Sequence, residues 1–66
     1  MDILVNGENR GFAGPVTVEE LVLWLALSPK TVLIEHNGLA LRRDEWPGRA
    51  LSEGDRIEIV RIVAGG

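Results

Sequence analysis

Thr17-Val18-Glu19-Glu20 opens the clearest helical stretch of this 66-residue chain, and that stretch limits what the remainder can build. The Thr17 hydroxyl can accept from the Glu20 amide while the Glu20 carboxylate reaches back, which is a capping box. Val18, Leu21, Val22 and Leu25 then recur at helical spacing and form one apolar stripe. Ser28-Pro29 is the expected stop, because proline disfavours helix in the residue before it. A helix of about three turns does not persist alone, so it has to pack on strands.

The flanking segments supply those strands. Asp2 to Asn6 alternates, with Ile3 and Val5 on one face and Leu4 on the other. Asn6-Gly7 signals a tight turn, and Glu8 to Ala13 returns as a weaker, edge-like strand anchored by Phe12. Gly14-Pro15 breaks it. Beyond the helix, Val32 to His36 is mostly apolar and is expected to be central. Asn37-Gly38 turns the chain into a short strand from Leu39 to Leu41, and Trp46-Pro47-Gly48 makes a corner whose indole caps the core. Leu51 is expected to point inward. The last strand, Arg56 to Val63, slips its apolar phase between Ile59 and Val60, which calls for a bulge or for burial on both faces. Strand, strand, helix, strand, short strand, strand leaves one compact solution: an α+β roll, a single mixed sheet of four to five strands covered by one main helix.

Length allows one domain, residues 1–66, with modest stability. The chain has no cysteine, so neither disulfides nor thiolate metal sites support it, which fits a reducing compartment such as the cytoplasm. The start, Met1-Asp2-Ile3-Leu4, does not read as a signal peptide. The longest apolar run, Leu21 to Leu27, is far short of a membrane span. Seven basic residues are scattered among ten acidic ones, with only Arg42-Arg43 adjacent, so nucleic acid is not an expected partner.

Catalytic constellations are missing. His36 is the sole histidine, and Ser28 and Ser52 fall at turns elsewhere in the chain, so it reads as an ordinary strand or surface histidine. Nothing has metal-ligand spacing. Glu19-Glu20 and Asp44-Glu45 are adjacent pairs whose side chains diverge, more a cap and a solvated loop than an acid/base dyad. Gly7, Gly11 and Gly14 form no phosphate-cradling unit.

Two features remain. Leu23 and Leu27, with Trp24 at their flank, lie opposite the helix's buried stripe; they are either leftover exposed apolar surface or a contact patch for a partner or a second copy. The sequence closes on Ala64-Gly65-Gly66, directly after the last strand. Two glycines carry no Cβ, so such a tail can thread a narrow channel and present an unshielded carboxylate. That carboxylate is a poor electrophile until a partner converts it to an acyl phosphate, adenylate or thioester. The tail, residues 64–66, is expected to be flexible.

Taken together, Ile3-Leu4-Val5-Asn6-Gly7, Thr17-Val18-Glu19-Glu20-Leu21-Val22, Ile34-Glu35-His36-Asn37-Gly38 with Arg43 and Trp46, and Gly54-Asp55-Arg56-Ile57-Glu58-Ile59 ahead of Ala64-Gly65-Gly66 resemble the ThiS family. These are sulfur carriers of thiamine thiazole biosynthesis within the ubiquitin-like β-grasp superfamily. The resemblance implies a carrier, not an enzyme, with no tightly bound cofactor. A ThiF-like enzyme would adenylate the Gly66 carboxylate, leaving AMP on it transiently. Sulfur, ultimately from a cysteine desulfurase, would displace AMP to give a thiocarboxylate, and thiazole synthase (ThiG-like) would take that sulfur. Gly65 would serve as the slim spacer and Ala64 as the small residue before it. Other readings are a MoaD-type carrier, a ubiquitin-like modifier joined to lysines through Gly66, and a binding domain with an inert tail.

Overall fold

The computed structural model describes residues 1–62 of the chain. Its strands are β1 (Asp2–Val5), β2 (Glu8–Gly11), β3 (Val32–His36), β4 (Leu39–Leu41) and β5 (Arg56–Arg61), with one α-helix, α1 (Val18–Trp24). Short 3-10 turns cover Pro29–Thr31 and Arg43–Glu45. The five strands form one mixed sheet in the order β2-β1-β5-β3-β4. β1 and β5 run parallel, and every other pairing is antiparallel. The expected α+β architecture of one sheet and one main helix is what forms.

Both hairpins turn through Asn-Gly. Asn6 and Gly7 have φ of 49° and 82°, and Asn37 and Gly38 have 50° and 85°. Positive φ at both central residues matches the right-handed twist of the strands, and Asn-Gly meets that demand with little strain. β3 is an interior strand as expected, lying between β5 and the short edge strand β4, and β5 at the middle of the sheet joins the two hairpins.

The capping box forms as the sequence predicts. Glu20 N–H donates to Thr17 Oγ1 at 3.2 Å, and Thr17 N–H donates to Glu20 Oε1 at 2.9 Å. The remaining N-terminal amides are met from outside the helix, Val18 by the Arg49 carbonyl and Glu19 by that of Trp46. The corner at residues 46–51 is thereby tied to the helix start, and no helical donor there is left buried and unpaired.

α1 is shorter than expected. It stops at Trp24, four residues before Ser28, because Ala26 takes φ of 57° and reverses the chain. Ala26 N–H bonds the Leu23 carbonyl at 3.0 Å and Leu27 N–H bonds that of Val22 at 3.2 Å, the paired bonds of a Schellman motif. The motif normally uses glycine at the left-handed position; alanine's Cβ strains it there. Ala26→Gly is therefore expected to raise stability by about 0.5–1 kcal/mol. The check is a rightward shift of the urea midpoint, and an unchanged or lowered midpoint would show that Ala26 is unstrained.

The core lies between α1 and one sheet face: Ile3, Val5, Ile34 and Ile57 from the strands, Val18, Leu21 and Val22 from the helix, and Trp46 and Leu51 from the corner. Leu25, expected in the buried stripe, is only partly buried because it is already the C-cap. The phase slip in β5 involves neither a bulge nor double burial. Its register against β3 is continuous from His36↔Ile57 to Val32↔Arg61, so Ile57 and Ile59 face the helix while Val60 lies on the open face, 54% exposed. Val60 pairs with Leu33, 57% exposed, and Ile62 two positions on is also exposed, leaving an apolar stripe on the uncovered side of the sheet.

Candidate functional site

β5 leads toward Ala64, Gly65 and Gly66, which lie outside the described residues, and the described part of the site is what holds that strand. Two asparagines grip it from opposite sides. β1 ends at Val5, but Asn6 continues its pairing with a side chain: Oδ1 accepts the Ile59 N–H at 2.7 Å and Nδ2 donates to the Ile59 carbonyl at 3.3 Å. An amide side chain has the same donor and acceptor as a peptide group, so it can stand in for the next strand residue. On the other side, Asn37 Oδ1 accepts the Arg56 N–H at 2.8 Å, and its own N–H donates to the Arg56 carbonyl at 2.8 Å. Each turn asparagine thus serves twice, in its hairpin and on β5.

Asn37 is in turn fixed by Asp55, whose Oδ1 accepts its Nδ2 at 3.1 Å. The other oxygen of Asp55 accepts the Ser52 N–H at 2.8 Å and meets His36 Nε2 at 2.7 Å. Arg49 Nε donates to His36 Nδ1 at 2.9 Å, so Nδ1 is the acceptor and Nε2–H donates to Asp55. His36 is therefore a buried strand histidine with both ring nitrogens committed, not an exposed one. Sequence reading missed the Arg49-His36-Asp55 chain because its members lie 13 and 19 residues apart. The only signal was a lone histidine at an inward strand position, which needs partners.

Burial alone would push the Asp55 carboxyl up; hydrogen bonds from His36, the Ser52 amide and Asn37 outweigh it and hold it below its ordinary value of 3.8. A lowered carboxylate contributes stability that is complete above the unfolded value and is lost as pH falls through the folded one. The domain is thus expected to weaken steadily below about pH 4. Asp55→Asn should be less stable at neutral pH, by about 1.5–3 kcal/mol for lost charge-assisted bonds, yet show a flatter acid dependence. Parallel acid slopes in urea titrations of the two proteins would remove Asp55 as the sensing group.

The three apolar residues singled out around the helix are placed differently from one another. Leu23, 60% exposed, projects from the outer side of α1. Trp24, 59% exposed, packs against Phe12 with ring centroids 5.4 Å apart. Leu27 lies past the chain reversal, partly buried against the core, and not one turn above Leu23 as a longer helix would put it. Trp24 and Leu27, but not Leu23, line a groove of about 560 Å³ beyond the end of α1. Among the described residues no group of three or more His, Asp or Glu could hold a metal ion, and no helix is long and apolar enough to cross a membrane.

Comparison with known proteins places this arrangement. Residues 3–66 match the model of the ThiS family. The crystal structure of a thiamine biosynthesis protein (ThiS) from Geobacter metallireducens superposes with a TM-score of 0.87 at 29% identity, covering 100% of both chains. A solution structure of a thiamine biosynthesis protein from the same organism gives 0.83 at 29% identity, over 100% of this chain and 88% of that one. Among curated sequences, a thiazole synthase of Paramagnetospirillum magneticum is 33% identical over the whole of this chain, which spans only 20% of that protein's length. An uncharacterized protein, ycf40, of Pyropia yezoensis is 27% identical over 100% of this chain and 93% of its own.

Proposed function

The chain belongs to the ThiS family, and from that premise we propose that it carries sulfur for thiazole formation as a thiocarboxylate on Gly66. The observation that carries this reading is the family match through Gly66 together with a fold shared end to end with a thiamine biosynthesis protein. The chemistry follows from the tail. A ThiF-like enzyme brings the Gly66 carboxylate oxygen to the α-phosphorus of ATP, and pyrophosphate leaves. A sulfide equivalent, drawn ultimately from a cysteine desulfurase, then attacks the acyl carbon and AMP leaves. The domain supplies binding and reach; its partners supply the reactive groups, so the carrier itself is not an enzyme. AMP and sulfur are transient passengers on Gly66, and no cofactor stays bound.

Thiazole synthase is the acceptor in this reading. It is supported by the Paramagnetospirillum magneticum protein, which bears that name and contains within its length a region similar to this whole chain. Partners have two faces to hold on either side of β5: the open face with Leu33, Val60 and Ile62, and the helix side. A cytoplasmic setting suits a carrier with no cysteine of its own.

Intact mass decides the reading. Incubated with a ThiF-like enzyme, ATP and a sulfur source, the protein is expected to gain the difference between one oxygen and one sulfur. Ladders of larger conjugates would instead indicate a protein modifier. Sulfur passing to a molybdopterin precursor and not to thiazole synthase would indicate a MoaD-type carrier, and an unchanged mass would indicate an inert tail.

A further inference from the structure

The groove beyond α1 owes its existence to the short helix. Because the chain reverses at Ala26, the helix leaves part of the sheet uncovered where β2, β1 and β5 lie side by side. Val5 and Ile59 form its floor, Trp24, Leu25 and Leu27 its wall, and Asn6 lies between the strands. Two arginines stand at its rim. Arg10 comes from β2, opposite Ile3, and Arg61 from β5, opposite Val32, which puts both on the helix side of the sheet.

Charge marks this groove off from the rest of the molecule. The chain carries ten acidic residues and a net charge of −3, yet no acidic side chain lines the groove. None of the ion pairs among the described residues involves Arg10 or Arg61. Two arginines flanking a half-exposed indole and an apolar floor are complementary to a segment with one apolar side chain and neighbouring carboxylates. Position narrows the source of that segment. Arg61 precedes Gly66 by five residues, a span of at most about 17 Å at full extension. Whatever protein holds the Gly66 carboxylate in its active site therefore has its surface within reach of the groove.

We propose that this groove docks an acidic segment, bearing one apolar side chain, of the enzyme that activates Gly66. It rests on the sulfur-carrier reading and adds to it a second contact, on the helix side of β5. Carboxylates of the enzyme pair with Arg10 and Arg61 while its apolar side chain covers Ile59 against Trp24. Charge at such a rim acts chiefly on encounter and on salt dependence, and leaves the chemical step alone.

The test is the rate of thiocarboxylate formation on the full chain by the ThiF-like enzyme of the same organism, with the carrier concentration varied. The Arg10→Glu/Arg61→Glu variant is expected to lose about tenfold in kcat/KM through KM, with kcat kept, and to lose the wild type's sensitivity to salt. A Lys30→Glu/Arg42→Glu variant makes the same change in net charge away from the groove and should load normally. Circular dichroism establishes that both variants are folded. Unchanged kcat/KM in the groove variant would overturn the proposal. So would an equal loss in both variants, which is a net-charge effect, or a loss confined to transfer to thiazole synthase, which is a different partner. A wild type that is never loaded removes the sulfur-carrier reading itself, a result distinct from a wild type and groove variant loaded equally well.

Discussion

Deleting Gly66 is expected to abolish sulfur loading and leave the unfolding transition where it was. Among the described residues the buried core lies between Ile3 and Ile57, and the last backbone hydrogen bond runs from Ile62 N–H to the Thr31 carbonyl. Removing Gly66 leaves all of these described contacts in place. It does move the terminal carboxylate back by one residue, about 3.3–3.6 Å. Misplacement of about 1 Å already costs on the order of a hundredfold in a reaction that depends on near-attack geometry. Gly65→Val should act nearly as strongly by adding a branched side chain where the partner's channel is slim. Intact mass after incubation with the activating enzyme, alongside a urea melt, reads both outcomes. A truncated protein that still takes up sulfur would show that the loading site is elsewhere, and normal adenylation of Gly65→Val would show a wide channel.

Trp46→Ala is expected to leave little folded protein. Trp46 is 2% exposed, the largest of the fully buried side chains. Arg43 lies over its ring at 4.6 Å from the centroid, which adds a cation–π contact to the lost burial. Removing a buried tryptophan side chain costs about 3–5 kcal/mol. A domain of this length has roughly 3–10 kcal/mol to lose. The main chain of Trp46 also accepts from the Glu19 amide at the helix start, so a collapsed corner would unsettle the helix as well. The far-UV spectrum at 25 °C and a urea titration measure the effect, with Trp46→Phe as the milder companion that keeps a ring in place. A Trp46→Ala protein within about 1 kcal/mol of wild type would mean that the corner is not part of the core.

Much of this was legible because the local signals are strong and agree with one another. Thr17 and Glu20 cap a helix whatever follows, and Asn-Gly at 6–7 and 37–38 turns a hairpin by its own φ preference. Alternation in β1 put Ile3 and Val5 on one face, and that face is the buried one. The misreadings share a different cause: each depended on something distant in the chain. Proline at 29 looked like the helix stop, but the Schellman reversal at Ala26 came first, and alanine gives no warning of a left-handed conformation. Apolar Val60 looked as though it needed burial, yet the helix covers one face only. Apolar composition marked β3 as an interior strand, which it is, but could not show that β5, between β1 and β3, is the middle one. His36 needed Arg49 and Asp55, which no spacing rule connects to it. For the candidate site, Gly65 and Gly66 could be singled out by their chemistry alone. The groove could not, since its two arginines come from opposite ends of the chain.

The position of β5 has a bearing on how the protein is made. The two hairpins do not touch each other as neighbours in the sheet; they meet only through residues 56–61. A ribosome that has produced everything up to Gly54 has produced two separate ribbons and a helix that cannot persist alone. Cooperative folding waits for the segment that leads into Ala64-Gly65-Gly66 to emerge, and the long sequence separation of those pairings slows it further. Chains broken off before β5 are expected to stay unfolded and open to proteolysis.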